Sequence, residues 1–405
     1  MRLKDFSVLN PQYKGESLDC EVSFVPMESL RNGAIDYQDI PFAEGKGKYT
    51  YFQDGDLLVA KVTPCFENGN IAIANNMKQG VGFGSSEIFV LRMNDKVLNT
   101  YMFYITQTAK FQEGACATMC GVGGLKRISP LFMRTYELDI PSLSKQQRIV
   151  NYLDVKLGKI DARIAILEKQ QDAYARLKES VIHHAVTRGL NPNVSLKDSS
   201  VEWIGMIPEH WEVKRIKELC SFVSRGATPN YVDEGEYKVM NQAVFSTGNL
   251  NHKVVRYSSY MKSESQIKKG DLLIASTGGG VLGKLYFFDD EDLNFYADTH
   301  VTIVRSEKGL FCVKFLFYLL SYQFDMVNAC MAKGSTNQTE LQRDCLLSYE
   351  LAIPSLVEQQ TIIAYLDEKC AKIDTATENI GKQIDALKRL KRALINEVVT
   401  GQRAV

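Results

Sequence analysis

The chain of 405 residues lacks any apolar run near the roughly 18 residues of a membrane span, and its first residues, Met1, Arg2, Leu3, Lys4 and Asp5, form no secretion signal. A protein in the cytoplasm, with no membrane attachment, is expected. The nine cysteines are scattered, with only Cys116 and Cys120 close, and no second cysteine pair or histidine pair stands at zinc spacing. Reduced thiols and no metal site follow as the expectation. Charge of one sign is not in excess either, with 48 Lys and Arg against 48 Asp and Glu. Phosphate neutralisation supplies most of the affinity of proteins that grip nucleic acid alone. The balance therefore counts against solitary tight binding, but not against reading bases while a partner supplies much of the charge. An apolar content of 45% with 24% charged residues is ordinary for globular domains, and the length allows two or three.

A complete catalytic set is also missing. Gly278, Gly279, Gly280, Val281, Leu282, Gly283 and Lys284 fit the first seven positions of a phosphate-binding P-loop, but Leu285 stands where a magnesium-binding Ser or Thr is needed. Leu285 to Phe288 reads as a strand, whereas a phosphate needs a helix N-terminus there. A glycine hairpin is the better reading. Asn10, Pro11, Gln12 and Tyr13 approach the Asn-Pro-Pro-Tyr tetrad of adenine methyltransferases without its second proline, and read as a turn. Asp233, Glu236 and Lys238 are expected in an exposed charged turn entering a strand. His183 and His184 fit the end of a helix, where the dipole favours them, and His300 fits an alternating strand. Nothing here argues for catalysis.

What the chain does have is a stretch carried twice. Leu138, Ile140, Pro141, Ser142, Leu143, Gln146, Gln147, Tyr152, Leu153, Asp154, Lys159, Ile160 and Asp161 return 213 positions later as Leu351, Ile353, Pro354, Ser355, Leu356, Gln359, Gln360, Tyr365, Leu366, Asp367, Lys372, Ile373 and Asp374. About half the positions in 138–187 and 351–400 are identical, which marks a tandem duplication. Both copies have helical periodicity. Leu153, Leu157, Ile160, Ile164 and Leu167 form one narrow seam, and Leu366, Ile373, Ile380, Ile384 and Leu387 the other. Each helix spans about 60 Å at 1.5 Å per residue. Neither seam can face water, so the two are expected to bury each other. A compact intervening segment favours an antiparallel pair.

The rest reads as an α+β unit in each half. Short strands are expected at 22–27, 57–62, 71–74 and 87–91, a helix at 101–111, and a faint second copy after the connector 191–213. There Arg215, Ile216, Lys217 and Glu218 answer Arg2, Leu3, Lys4 and Asp5, and Lys269 to Ala275 answers Asp54 to Ala60. The scaffold repeats but the surface loops share almost nothing, which suggests related tasks on different targets. Loop residues suited to phosphates and base edges are Lys46, Lys48, Thr63, Asn68, Thr118, Lys126 and Arg127 in the first half. In the second they are Asn241, Gln242, Lys284, Lys333, Ser335, Thr336, Asn337 and Gln338.

The repeated Ile-Pro-Ser-Leu motif with its following Gln146, Gln147, Ile149, Leu153, Asp154, Lys159, Ile160 and Asp161 resembles the specificity subunits of bacterial type I restriction-modification systems. So do the connector Trp203, Ile204, Gly205, Ile207, Pro208, Glu209, His210, Trp211, Glu212 and Val213, and the final Val398, Val399, Thr400 and Gly401. The first half departs from the pattern: it lacks the Ile-Pro-Glu-His-Trp lead-in and begins just after its place, which leaves the edge of the first domain undefined by the resemblance. The resemblance implies two similar α+β target recognition domains, 1–143 and 191–356 with its connector, separated by two long helices, 144–190 and 357–405, in an antiparallel coiled coil with pseudo-twofold symmetry. It implies a non-catalytic subunit that reads a bipartite, asymmetric site in double-stranded DNA. The helices would set the spacing and dock two modification subunits, adenine-N6 methyltransferases that bind S-adenosylmethionine, and restriction subunits would join in the full complex. No cofactor is expected on this chain. The competing expectation is a coiled-coil scaffold or adaptor that does not read DNA.

Overall fold

The structure, a computed structural model, describes residues 1–121, 124–246, 248–278, 281–292, 294–306, 311–322, 332–333 and 340–405. It divides into two compact units, Met1–Lys169 with Ile380–Val405, and Gln170–Asn379. The boundary falls inside both long helices, Leu143–Arg188 and Leu356–Val399.

In the first unit a four-stranded antiparallel sheet runs in the order Ser7–Leu9, Ile88–Met93, Leu57–Ala60, Ile71–Ile73. Leu57 to Ala60 is buried at every residue, as an apolar run with both faces covered should be. A second sheet orders Gln38–Pro41, Glu21–Val25, Val81–Gly84, Thr50–Gln53, with Glu21–Val25 and Val81–Gly84 parallel. The single helix expected at 101–111 is two, Asn99–Thr106 and Ala109–Ala117. Thr108 takes extended backbone between them, and its hydroxyl caps the second by accepting the Phe111 N–H.

The second unit repeats the first of these sheets in the same order: Phe222–Arg225, Val301–Arg305, Leu272–Ala275, Leu285–Phe287. Its other four-stranded sheet keeps one parallel pair, Tyr237–Met240 with Phe295–Ala297, but a different strand order. The connector folds as a hairpin, Leu196–Asp198 with Met206–Pro208, followed by Glu212–Arg215 against Glu350–Ile353. Trp211 beyond it is fully buried and donates its indole N–H to Glu358.

Four polar contacts recur in both units. The backbone N–H of Arg2 donates to Asp5 (2.8 Å), and that of Arg215 to Glu218 (2.7 Å), each closing a short first turn. The buried Asp56 takes both arms of Arg92 (2.8 and 2.7 Å), and the buried Asp271 both arms of Arg305 (2.7 and 2.6 Å). Gln146 accepts the Leu98 N–H (2.8 Å) and donates to the Pro141 carbonyl (2.8 Å). Gln359 likewise accepts from Cys312 (3.0 Å) and donates to Pro354 (3.0 Å). Tyr104 donates to Asp154 (2.5 Å) and Tyr318 to Asp367 (2.6 Å), and burial ahead of the carboxylate pushes both phenols up.

Glycine ends both helices: Gly189 (φ +74°) and Gly401 (φ +78°) take the left-handed conformation that closes a helix C-terminus at little cost. In the first unit Leu153 and Leu157 share a buried cluster with Leu394, Ile395 and Val398, while Lys391 bonds Asp161 at 2.7 Å. In the second, Gln171 reaches the Thr377 carbonyl and Lys178 bonds Asp374 at 2.6 Å. In each unit the partner numbers fall as the others rise, so the helices run antiparallel. Leu153, Leu157, Ile164, Leu167, Leu366, Ile373, Ile380 and Ile384 are buried, and Ile160 and Leu387 half-buried.

Substituting Gln359→Leu strands the half-buried Cys312 N–H and the buried Pro354 carbonyl. Equilibrium denaturant unfolding should show a loss of about 1–3 kcal/mol, and an unchanged midpoint would refute the anchoring role.

Candidate nucleic-acid interface

Just before each long helix, past a short helix, a hairpin leaves the globular core. In the first unit Cys120 and Arg127 pair across it, with N–H to carbonyl distances of 3.1 and 2.9 Å. Its root is sewn to the strand end at Lys61 to Thr63. Ile128 donates to the Lys61 carbonyl (2.9 Å), Thr63 N–H to the Lys126 carbonyl (2.9 Å), and Lys126 N–H to the Thr63 hydroxyl (2.9 Å), which itself donates to the Gly124 carbonyl (2.9 Å). Thr63, Lys126 and Arg127 are thus brought together. Lys126 is exposed. Arg127 is exposed too, but Glu87 takes its Nε and Nη2 at 2.9 and 2.8 Å. That guanidinium holds the Glu87 carboxyl below its usual range, while burial lowers the neighbouring Lys61.

The other residues proposed for this half lie elsewhere. Thr118 closes the helix Ala109–Ala117 by donating to the Ala115 carbonyl (2.8 Å), so its hydroxyl is engaged internally. Asn68 is exposed on a turn and lines a cleft of about 750 Å³ with Gln107, Gln112, Lys388 and Arg392. Lys46 lies over Tyr13 and Phe42, and Lys48 over Tyr49, in a separate aromatic cluster against the second sheet. Among the described residues, no hydrogen bond or ion pair links those lysines to the Thr63 group.

The second unit builds the same root. Leu341 donates to the Ser276 carbonyl (2.9 Å), Thr277 bridges to Glu340, and Ala332–Lys333 pairs with Glu340–Leu341. Ser335, Thr336, Asn337 and Gln338 lie outside the described residues, as does the side chain of Lys333. Asn241 caps the short helix Gln242–Phe245 through the Ala243 N–H (2.9 Å), and Lys284 closes its other end on the Ser246 carbonyl (2.6 Å). Asn241, Gln242 and Lys284 therefore share one place. The run 278–284 joins the antiparallel strands Leu272–Ala275 and Leu285–Phe287 and precedes no helix, so Lys284 meets a carbonyl where a P-loop lysine would meet phosphate.

Two histidines differ from their sequence expectation. His300 is not in a strand but in the turn before Val301–Arg305, because Asp298 accepts its N–H (2.9 Å) in a side-chain turn. His183 stacks on Tyr322 at 4.2 Å, and burial, then His184 and Arg188, lower its pKa; packing rather than the helix dipole governs it. Sequence reasoning missed Thr277 as well, whose hydroxyl lies 2.7 Å from His300 Nδ1. A Thr at the end of an apolar strand gives no signal until the chain is folded. Among the described residues, no three His, Cys, Asp or Glu side chains are placed to hold a metal, all cysteines are free, and no helix is long and apolar enough to cross a membrane.

Two copies of one scaffold, each with a polar hairpin sewn to the same strand ends, define a duplicated recognition protein. A family model described as the type I restriction modification DNA specificity domain matches residues 14–173 and again 208–386, and the chain belongs to that family. It is 32% identical over 188 residues to the EcoEI specificity subunit of Escherichia coli and 27% identical over 212 residues to the EcoAI subunit of the same organism. Those alignments cover 44% and 50% of this chain, and the chain spans about a third of the length of each (31% and 34%). The MjaVIII specificity subunit of Methanocaldococcus jannaschii aligns over 398 residues at 24% identity, covering 96% of this chain and 87% of the relative. The fold matches a chain from work on complex assembly and conformational transition of the type I R-M system, with a TM-score of 0.75 at 18% identity, covering 98% of this chain and 96% of that one. It also matches the HsdS subunit of Thermoanaerobacter tengcongensis, with a TM-score of 0.51 at 17% identity, covering 100% and 96%.

Thr63→Val removes the hydroxyl that joins Lys126 and Gly124. Hydrogen exchange at the Lys126 amide should quicken by about tenfold or more, the effect of losing one net hydrogen bond, with the core strands unchanged. Unaltered exchange at Lys126 would show that the hydroxyl does not hold the arm.

Proposed function

We propose that this chain is the DNA-reading subunit of a type I restriction-modification complex, each unit reading one half of a bipartite, asymmetric site in double-stranded DNA. On this reading 1–143 and 191–356 are the target recognition domains. The paired helices 144–190 and 357–405 set the gap and dock two modification subunits. Those subunits bind S-adenosylmethionine and methylate adenine N6; restriction subunits complete the assembly, and this chain binds no cofactor and performs no chemistry. The observation that carries the reading is the duplicated arm root: the backbone hydrogen bonds repeat in both units while the side chains around them differ. Two different half-sites require this combination. The balanced net charge supports a reader whose partners supply much of the phosphate contact.

Purified alone, the chain should transfer no methyl group. With the modification subunit added, sequencing of methylated adenines should return a two-part site with a fixed gap; methylation by the chain alone, or without sequence preference, would sink the reading.

A second test concerns the gap. Asp161 faces Lys391, so 161–167 and 385–391 are facing heptads. Deleting both preserves the seam and shortens the pair by about 10 Å. This is close to three base pairs of rise, which also turn the duplex by about 100°. The preferred gap should shrink, or binding should fail; a folded deletion variant that keeps the original gap and efficiency would refute the spacer role.

A further inference from the structure

The two arm roots are built on matching backbone bonds, which sets their side chains in one-to-one correspondence. Ser85 N–H donates to the Val25 carbonyl (3.0 Å) and Asp298 N–H to the Met240 carbonyl (3.1 Å). Glu87 N–H donates to the Ser85 hydroxyl (3.2 Å) and His300 N–H to the Asp298 carboxylate (2.9 Å). Val62 bridges to Arg127 as Thr277 does to Glu340. Met27 and Gln242 each stand two residues past the parallel strand and open a short helix. Met27, Val62 and Glu87 of the first unit therefore correspond to Gln242, Thr277 and His300 of the second.

The chemistry at these three places is opposite in kind. In the first unit Met27 packs on the core, Val62 is buried, and Glu87 is taken up by Arg127. The charged pair is therefore matched to itself, and the other two places carry no polar side chain. In the second unit the Thr277 hydroxyl contacts His300 Nδ1 (2.7 Å) and, more distantly, Gln242 Oε1 (3.5 Å). The acid that replaces Arg127 is Glu340, and both arms of Arg225 bond it (3.2 Å each). The imidazole is fixed through Nδ1, the residue is exposed, and Nε2 has no partner among the described residues. Among the described residues nothing accepts from the amide nitrogen of the half-buried Gln242, and Lys284 anchors the helix that carries it.

We propose that Gln242 and His300, aligned by Thr277, are the base-reading element of the second unit, and that they contact purine edges in the major groove. A side-chain amide offers the donor and acceptor pair that matches adenine N6 and N7, and an imidazole nitrogen adds a single hydrogen bond to a neighbouring edge. The first unit has no counterpart and must read its half-site through other side chains. This inference rests on the DNA-reading function above.

The test uses the full chain with its modification subunit and a DNA library randomised in both half-sites, read by sequencing methylated adenines. His300→Ala and Gln242→Ala should each lower discrimination about tenfold at one or two base pairs of a single half-site, with the other half-site unchanged. Thr277→Val, which keeps the shape and removes the hydroxyl, should weaken preference at the same pairs. If the wild-type complex reads both half-sites and the Ala variants read them equally well, the inference fails while the function stands. Loss of preference across the whole half-site would signal a collapsed unit and would also overturn it. A wild-type complex without sequence preference would remove the function and the inference together.

Discussion

A buried primary amide decides where each long helix begins. Gln146 and Gln359 stand in the first turn, where helical N–H groups have no internal partners, and each joins a carbonyl of its own chain bend to an N–H of the globular part. Because both ends of the amide are satisfied away from water, rotation of the helix would break two bonds at once. The apolar residues one turn later, Ile149 and Leu153 or Ile362 and Leu366, are thereby turned to the core, and the seam further along inherits that setting.

Other polar contacts differ in what they can contribute. The exposed pairs Lys391 with Asp161 and Lys178 with Asp374 are worth at most about 1 kcal/mol each, so they select register more than they stabilise. The pairs Asp56 with Arg92 and Asp271 with Arg305 have almost fully buried carboxylates, 2% and 1% exposed, and removing either arginine would leave a charge stranded at a cost of about 3–5 kcal/mol. They pin two strands of the antiparallel sheet that repeats between the units, whereas the sheet with the parallel pair, which among the described residues carries no such buried ion pair, is the one whose strand order has diverged.

The repeat, the helices and their seam were legible because each is written in local periodicity and near-identical residues. The two globular halves were legible as related only where a turn fixes the residues, as at Asp54 to Asp56 and Lys269 to Asp271. What stayed hidden depends on partners far apart in the chain. Arg92 lies 36 positions from Asp56 and Tyr104 lies 50 from Asp154, and neither pairing has a sequence signature. The helix break at Thr108 was missed because a capping hydroxyl looks like any polar residue on an amphipathic face. The neighbours of His300 alternate as a strand does, while the Asp298 side-chain turn that takes it out of the strand acts two residues away. Loop composition does not separate a hydroxyl engaged within its own helix end, as at Thr118, or a guanidinium paired with a carboxylate, as at Arg127, from an exposed lysine such as Lys126.

Lys178 and Lys391 are repeat mates, and so are Asp161 and Asp374; the lysine of one copy bonds the aspartate of the other, twice over. This is the contact pattern of a symmetric homodimer, written into one polypeptide. In a true homodimer a single codon change alters both interfaces and both heads together. Here each contact and each arm has its own codon, so one unit can change its side chains while the other keeps its own. The covalent link turns a self-complementary half into an inheritance of two independent parts.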